Sequence, residues 1–350
     1  MSSWKPTGLA RGSVINGDAS ICGLDFHKNG RVLAMSTKDA SVHLIDSLSG
    51  AEKRKIYTRS CGSGDVKFTH NEFNVIMTSD ATKGRKDCEI RYLSLYDNRY
   101  LRHFRGHTQR VTAISMSPID DHFLSSSADQ AVCLWNLGKS GGPLARLQLP
   151  SNVMNPTAQY DGTGLVFGIK GQDERSKLHN IKLFDARAYG NGSFQDIVPT
   201  SAMMEAALLK AQPGLSRLQL QKIVSLPWTS FEFSPDGLHL LINTQGEVLY
   251  VLDGYQAKEP LAIFRKNDAG LALGACFSAD ARFILAGDDE NAIQIFDRLT
   301  GELQDTLTGH ISPVTHVRAN PRFDVVASAC VNTVLWIHPK SEDLMVDSGN

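Results

Sequence analysis

Residues Ile90 to Leu137 read IRYLSLYDNRYLRHFRGHTQRVTAISMSPIDDHFLSSSADQAVCLWNL. Val111 to Met116 alternates in polarity, Phe123 to Ser127 is a second short run, and Ala131 to Trp135 a third. A period of two is the signature of strands. The last of these runs closes on Leu134-Trp135-Asn136, and a similar ending recurs along the whole chain. The other copies are Leu44-Ile45-Asp46, Leu95-Tyr96-Asp97, Leu183-Phe184-Asp185, Val251-Leu252-Asp253, Ile295-Phe296-Asp297 and Leu335-Trp336-Ile337, at steps of 39 to 68 residues. The shortest steps match the roughly 40–45 residues of one four-stranded propeller blade, and the longer ones require insertions. Lys28-Asn29-Gly30, Asp161-Gly162 and Ser234-Pro235-Asp236-Gly237 supply turn chemistry between runs. Seven units with no linker predict an all-β, seven-bladed propeller: one domain over residues 1–340, an insertion at 189–227 between the fourth and fifth blades, and a flexible tail at 341–350.

The third unit resembles a WD repeat almost position by position. Gly106-His107 opens it, Ser127 lies two residues before Asp129, and Trp135 lies six after Asp129. The resemblance implies that His107, Ser127, Asp129 and Trp135 form a buried hydrogen-bonded network across the inner three strands. Buried polar groups need partners, so these four are read as structural rather than catalytic. The seventh unit carries Gly309-His310, Ser328 and Trp336, with Cys330 where the aspartate is expected. The sixth has Phe296 in place of tryptophan and Glu290 at the aspartate position, and units one, two, four and five lack the Gly-His pair. Closing the ring is expected to recruit residues before Ile21 as the outer strand of the last blade, removing an exposed edge.

Two stretches carry the likeness further: Ile90 to Leu137, and PRFDVVASACVNTVLW at Pro321 to Trp336 with its Ser-Ala-Cys. Both are similar to the family of WD repeat-containing protein 82, the propeller subunit of COMPASS-type histone lysine methyltransferase complexes. Members also serve with type-one protein phosphatase and its scaffold PNUTS, and in messenger RNA cleavage and polyadenylation. The resemblance implies a nuclear, non-enzymatic adaptor within a hetero-oligomer. Such an adaptor recruits a phosphatase scaffold or methyltransferase core to transcribing RNA polymerase, in part through its phosphorylated tail. Between Asp185 and Trp228 the chain departs from the family pattern by its insertion.

Insertions gathered on one face of a repeat array often mark the binding face. Thr82 to Glu89, Gly171 to Asn180 and Tyr189 to Pro227 all fall on the side of the Gly-His loops. The first two are basic, with Lys83, Arg85, Lys86, Arg175 and Lys177, and Arg110 lies in the adjacent Gly-His loop. Arginine and lysine suit phosphate recognition, so this rim is a candidate phosphopeptide site, against the plainer reading of a solvated lip. In the long insertion Pro199-Thr200-Ser201 predicts a helix start and Pro213-Gly214 its end. Met203, Met204, Ala207 and Leu208 make an apolar stripe that would meet a partner, pack back on the propeller, or stay disordered.

The remaining signals exclude more than they suggest. A composition of 42% hydrophobic and 21% charged residues, with a net charge of -1, gives no global basic field for nucleic acid. No apolar run is long enough to span a membrane, and Met1 to Gly12 lacks a leader, so an intracellular protein is expected. Six scattered cysteines form no C-x-x-C pair; neither disulfides, metal nor cofactor is expected. Gly138-Lys139-Ser140-Gly141-Gly142 fits G-x-S-x-G but precedes another strand rather than a helix, and Cys133 rules out a P-loop. His103 and His107 are four apart on what reads as strand and loop, not a zinc-binding helix. Leu183 to Arg187 resembles the W-D-x-R box of cullin ubiquitin-ligase substrate receptors, with Phe184 for the tryptophan, which is the alternative adaptor reading.

Overall fold

The computed structural model describes residues 8–15, 19–58, 63–79, 88–150, 156–172, 178–256 and 258–338. They form seven four-stranded antiparallel sheets arranged as the blades of a propeller. Blade three shows the plan: Val111–Met116 innermost, then His122–Ser127, Ala131–Asn136 and the outer strand Ala145–Gln148. Both faces of each sheet meet a neighbour. The middle strands are therefore buried on both sides, as in Val32–Thr37, and the outer strands, such as Glu52–Tyr57, are mostly exposed. Seven apolar clusters fill the seven seams between blades. The seam between blades two and three is aromatic, with Phe104 edge-on to Phe123 and Phe123 stacked on Trp135.

Ring closure follows the expectation. Ala10–Ile15 pairs antiparallel with Thr333–Ile337 and completes blade seven, so the first strand in sequence lies beside the last. The inner strands border the central channel and leave edge amides to satisfy. Three side chains do this across seams: Asp25 accepts from the Phe68 N–H (2.8 Å), Ser115 from Tyr160 (3.1 Å) and Glu232 from Phe277 (2.9 Å).

The inserted segment is two helices. α1 (Ser201–Ala211) is capped by Thr200, whose side chain accepts from the Met203 N–H. α2 (Arg217–Val224) opens with a capping box between Ser216 and Gln219. Gln195–Ile197, inside the stretch read as insertion, is instead the outer strand of blade four. The added segment thus begins after Ile197 and ends at Trp228, the first residue of blade five. Residues 341–350 lie outside the described residues.

Candidate docking face

One face of the ring carries the connections from each outer strand to the next inner strand, together with the hairpin turns between the two middle strands. Gly106-His107, the turn at Asp129 and both helices belong to it. In blade three, His107 Nδ1 faces the Asp129 carboxylate at 3.1 Å and Nε2 faces Ser125 Oγ at 2.7 Å. Trp135 Nε1 donates to the same Ser125 oxygen at 2.8 Å. Asp129 also accepts from the backbone of Thr108 and Ala131 and from Arg146. Burial opposes its charge, but these hydrogen bonds and His107 prevail and hold its carboxyl below the usual range. Burial dominates at His107, whose pKa falls below its ordinary value despite Asp129, so the imidazole is neutral.

The network corrects one sequence assignment. The serine in it is Ser125, not Ser127, which donates to the Gln109 carbonyl and accepts from the Asp129 N–H. Period two puts both serines on one side of the strand, so parity cannot separate them. Cross-strand pairing does: Ser125 pairs with Cys133, two before Trp135, as Ser328 pairs with Val334, two before Trp336. The paired positions are eight residues apart in blade three and six in blade seven, so counting back from the aspartate selects the wrong serine.

Blade seven keeps the network with a substitute acceptor. His310 Nε2 lies 2.6 Å from Ser328 Oγ, and Trp336 donates to Ser328 at 2.7 Å. His310 Nδ1 faces both Cys330 Sγ and Asn332 Oδ1 at 3.2 Å. Asn332, missed in the sequence, supplies the oxygen that Cys330 lacks. Burial works to raise the Cys330 thiol, but hydrogen bonding with His310 and Ser312 outweighs it and brings its pKa down to about 6. In blade six the buried turn acid is Asp288, which accepts from the Ala292 N–H, while Glu290 is ion-paired to Lys266 at the surface. Blades two, four and five use a buried cation instead. Arg91 donates to Ser79, Lys170 to the Trp228 and Thr229 carbonyls, and Arg265 to the carbonyls of Thr244, Gly246 and Leu273.

Of the candidate phosphate-binding residues, Lys83, Arg85, Lys86, Arg175 and Lys177 lie outside the described residues. Arg110 is exposed in the Gly-His loop, with no hydrogen-bond or ion-pair partner for its guanidinium among the described residues. Its neighbours on the rim are engaged: Arg105 pairs with Glu89, and Arg146 with Asp129 and the Gly106 carbonyl.

The candidate partner helix is corrected. Met204, Ala207 and Leu208 are buried in the seam between blades four and five, with Ile197, Trp228 and Tyr250, and Met203 is only half-buried. Of the three readings of that stripe, packing against the propeller is the one adopted, because the propeller offers apolar surface from both blades. Two clefts flank α2. One of about 440 Å³ lies toward blade four, lined by His179, Pro199, Met204, Glu205, Val224 and Trp228, and a second of about 300 Å³ lies toward blade five. Burial, with nearby Lys170, lowers the pKa of His179, stacked on Trp228, to about 4.

The chemistry-bearing motifs do not assemble. Ser140 sits exposed in a surface turn that runs into the strand Ala145–Gln148. His103 binds Glu89 while His107 binds Asp129, so the two do not converge. Arg187 is spent on its neighbour Asp185, at 2.9 and 3.1 Å.

A closed ring of seven four-stranded blades, with the His–Ser–Trp network in blades three and seven, defines a WD-repeat propeller. Residues 98–136, the outer strand of blade two and the inner three strands of blade three, match the family described as WD domain, G-beta repeat. The chain is 32% identical to WD repeat-containing protein 82 of Drosophila melanogaster, over 91% of this chain and 90% of that one. It is 32% identical to the Set1 complex component swd2 of Schizosaccharomyces pombe over 79% and 70%, respectively. With the COMPASS component SWD2 of Saccharomyces cerevisiae it shares 29% over 88% of each. The chain belongs to the WD repeat-containing protein 82 family.

Proposed function

We propose that this protein is a non-catalytic scaffold subunit of a nuclear chromatin or transcription-termination assembly. Its partner is a COMPASS-type methyltransferase core or a type-one phosphatase with the scaffold PNUTS, which it helps bring to transcribing RNA polymerase. Relatives named as components of a Set1 complex and of COMPASS support the scaffold role. The observation that carries the docking mechanism is the exposed Arg110, without a partner among the described residues, on a face whose buried polar groups are consumed structurally. A guanidinium free of carboxylate can take a phosphate with two parallel hydrogen bonds. Lys83, Arg85, Lys86, Arg175 and Lys177, outside the described residues, complete the phosphopeptide rim as it is proposed from the sequence.

The test titrates a phosphorylated polymerase-tail peptide against wild type, Arg110→Ala, and the triple variant Lys83→Ala, Arg85→Ala, Lys86→Ala. Losing one charge-assisted phosphate contact costs about 1.5–3 kcal/mol, so Arg110→Ala should weaken binding about tenfold or more. Unchanged affinity in both variants overturns the rim. Mass spectrometry of proteins co-purifying with a tagged copy tests the assembly: phosphatase scaffold or methyltransferase core is expected, and cullin adaptors would replace this reading.

A further inference from the structure

The cleft on the blade-five side of α2 is built differently from the basic rim. Its apolar wall is Leu215, Ile223 and Leu226. Leu226 presses against Gly246, where a Cβ would come within 2.5 Å of its methyl, so the turn of blade five fits the helix closely and fixes the cleft's width. The opposite wall is the hairpin turn at 245–247 and the loop at 267–270. Much of the polar inventory there is already used. The Asn267 amide bonds Gly246 and Leu271, Gln219 closes the capping box, and the Arg265 guanidinium is buried on backbone carbonyls. Glu247 and Asp268 are different: neither carboxylate has an ion-pair partner among the described residues. Acidity continues into blade six, where Asp289 accepts from the Ala269 N–H beside Asp268. Crowding is registered at Asp288, whose pKa is raised by burial and then by Glu290 and Asp289. Lys222 is the one cation among the lining residues.

We infer that this cleft is a second docking site, for a short basic segment of a protein partner that carries a branched aliphatic side chain between lysines or arginines. The aliphatic group fills the wall of Leu215, Ile223 and Leu226, and the flanking cations meet Glu247, Asp268 and Asp289. A volume of about 300 Å³ suits one or two side chains rather than a folded domain. The site is opposite in charge to the proposed phosphopeptide rim and independent of it.

Fluorescence anisotropy with a labelled Gly-Ser-Lys-Lys-Leu-Arg-Lys-Ser-Gly peptide tests the assignment. Wild type should bind it saturably, and replacing the peptide's leucine with serine should weaken binding at least fivefold. The double variant Glu247→Lys, Asp268→Lys should weaken it at least tenfold. An equal charge change elsewhere, Glu259→Lys with Glu302→Lys, should leave affinity within twofold. Binding of the phosphorylated tail peptide should be no weaker in the cleft double variant, which separates this site from the basic rim. No saturable binding, equal loss in both double variants, or indifference to the leucine overturns the inference.

Discussion

Ser125 is a small side chain with two demanding neighbours. Its hydroxyl meets both the His107 imidazole and the Trp135 indole, all within a buried environment. Ser125→Ala removes the oxygen and strands the indole N–H, at a cost of about 1–3 kcal/mol. Ser127 is also buried, but it serves the Gln109 carbonyl and the Asp129 N–H beside the turn. Water reaches turn groups more readily, so Ser127→Ala should cost about 1 kcal/mol or less. Urea denaturation of the two variants checks the order, and equal losses would contradict the assignment of Ser125. Residue types and spacing identified His107, Asp129 and Trp135, because those are singular. They could not choose between serines two residues apart on one side of a strand, since the register that sets one of them beside the tryptophan is a property of pairing. Asn332 was hidden for a related reason: an asparagine in a turn is ordinary, and only the orientation of His310 reveals its role.

At the scale of an element, the helical insertion shows where local signals stop. Thr200, Ser201, Pro213 and Gly214 mark the limits of α1 closely, since caps and breakers act through the adjacent backbone. The destination of its apolar stripe depends on Ile197, Trp228 and Tyr250, which no window centred on the helix contains. Leu208 is fully buried there and Met203 is not. Leu208→Ala should therefore destabilise by about 2–5 kcal/mol. Met203→Ala should stay within about 0.5 kcal/mol. Calorimetry on the two variants distinguishes them; comparable small effects would mean that the helix does not unfold with the propeller. The same distance limit explains why blades two, four and five read only as degenerate. The buried cations Arg91, Lys170 and Arg265 replace the usual network through bonds to backbone and hydroxyl groups that have no sequence signature.

The seven-fold repeat and the closing role of the first strand were readable across the whole chain, because each unit ends on a similar run and an open sheet edge has few remedies. Acid sensitivity is a property of the same whole. His179 and His316 are pushed by burial to about 4, and His107 is also lowered. Each binds a proton more readily in the unfolded chain, near the ordinary pKa of about 6.5. The contribution of His179 and His316 is complete above about pH 6.5 and is lost as pH falls through about 4. Urea midpoints should decline over this window, and His179→Phe, which retains a ring against Trp228, should flatten the decline. An unaltered slope in that variant would show that His179 protonates freely in the native state.

Because Ala10–Ile15 pairs with Thr333–Ile337, a strand made early must wait for one made far later along the chain. At about 5–20 residues per second that wait is on the order of 20–60 s. Through it, the growing protein is an open arc with two raw edges. Its early blades can stack on one another as they emerge, yet the ring exists only after Thr333–Ile337 has emerged. A nascent chain of this architecture is therefore most vulnerable to edge-to-edge association until that strand is in place, and least so once the ring has closed.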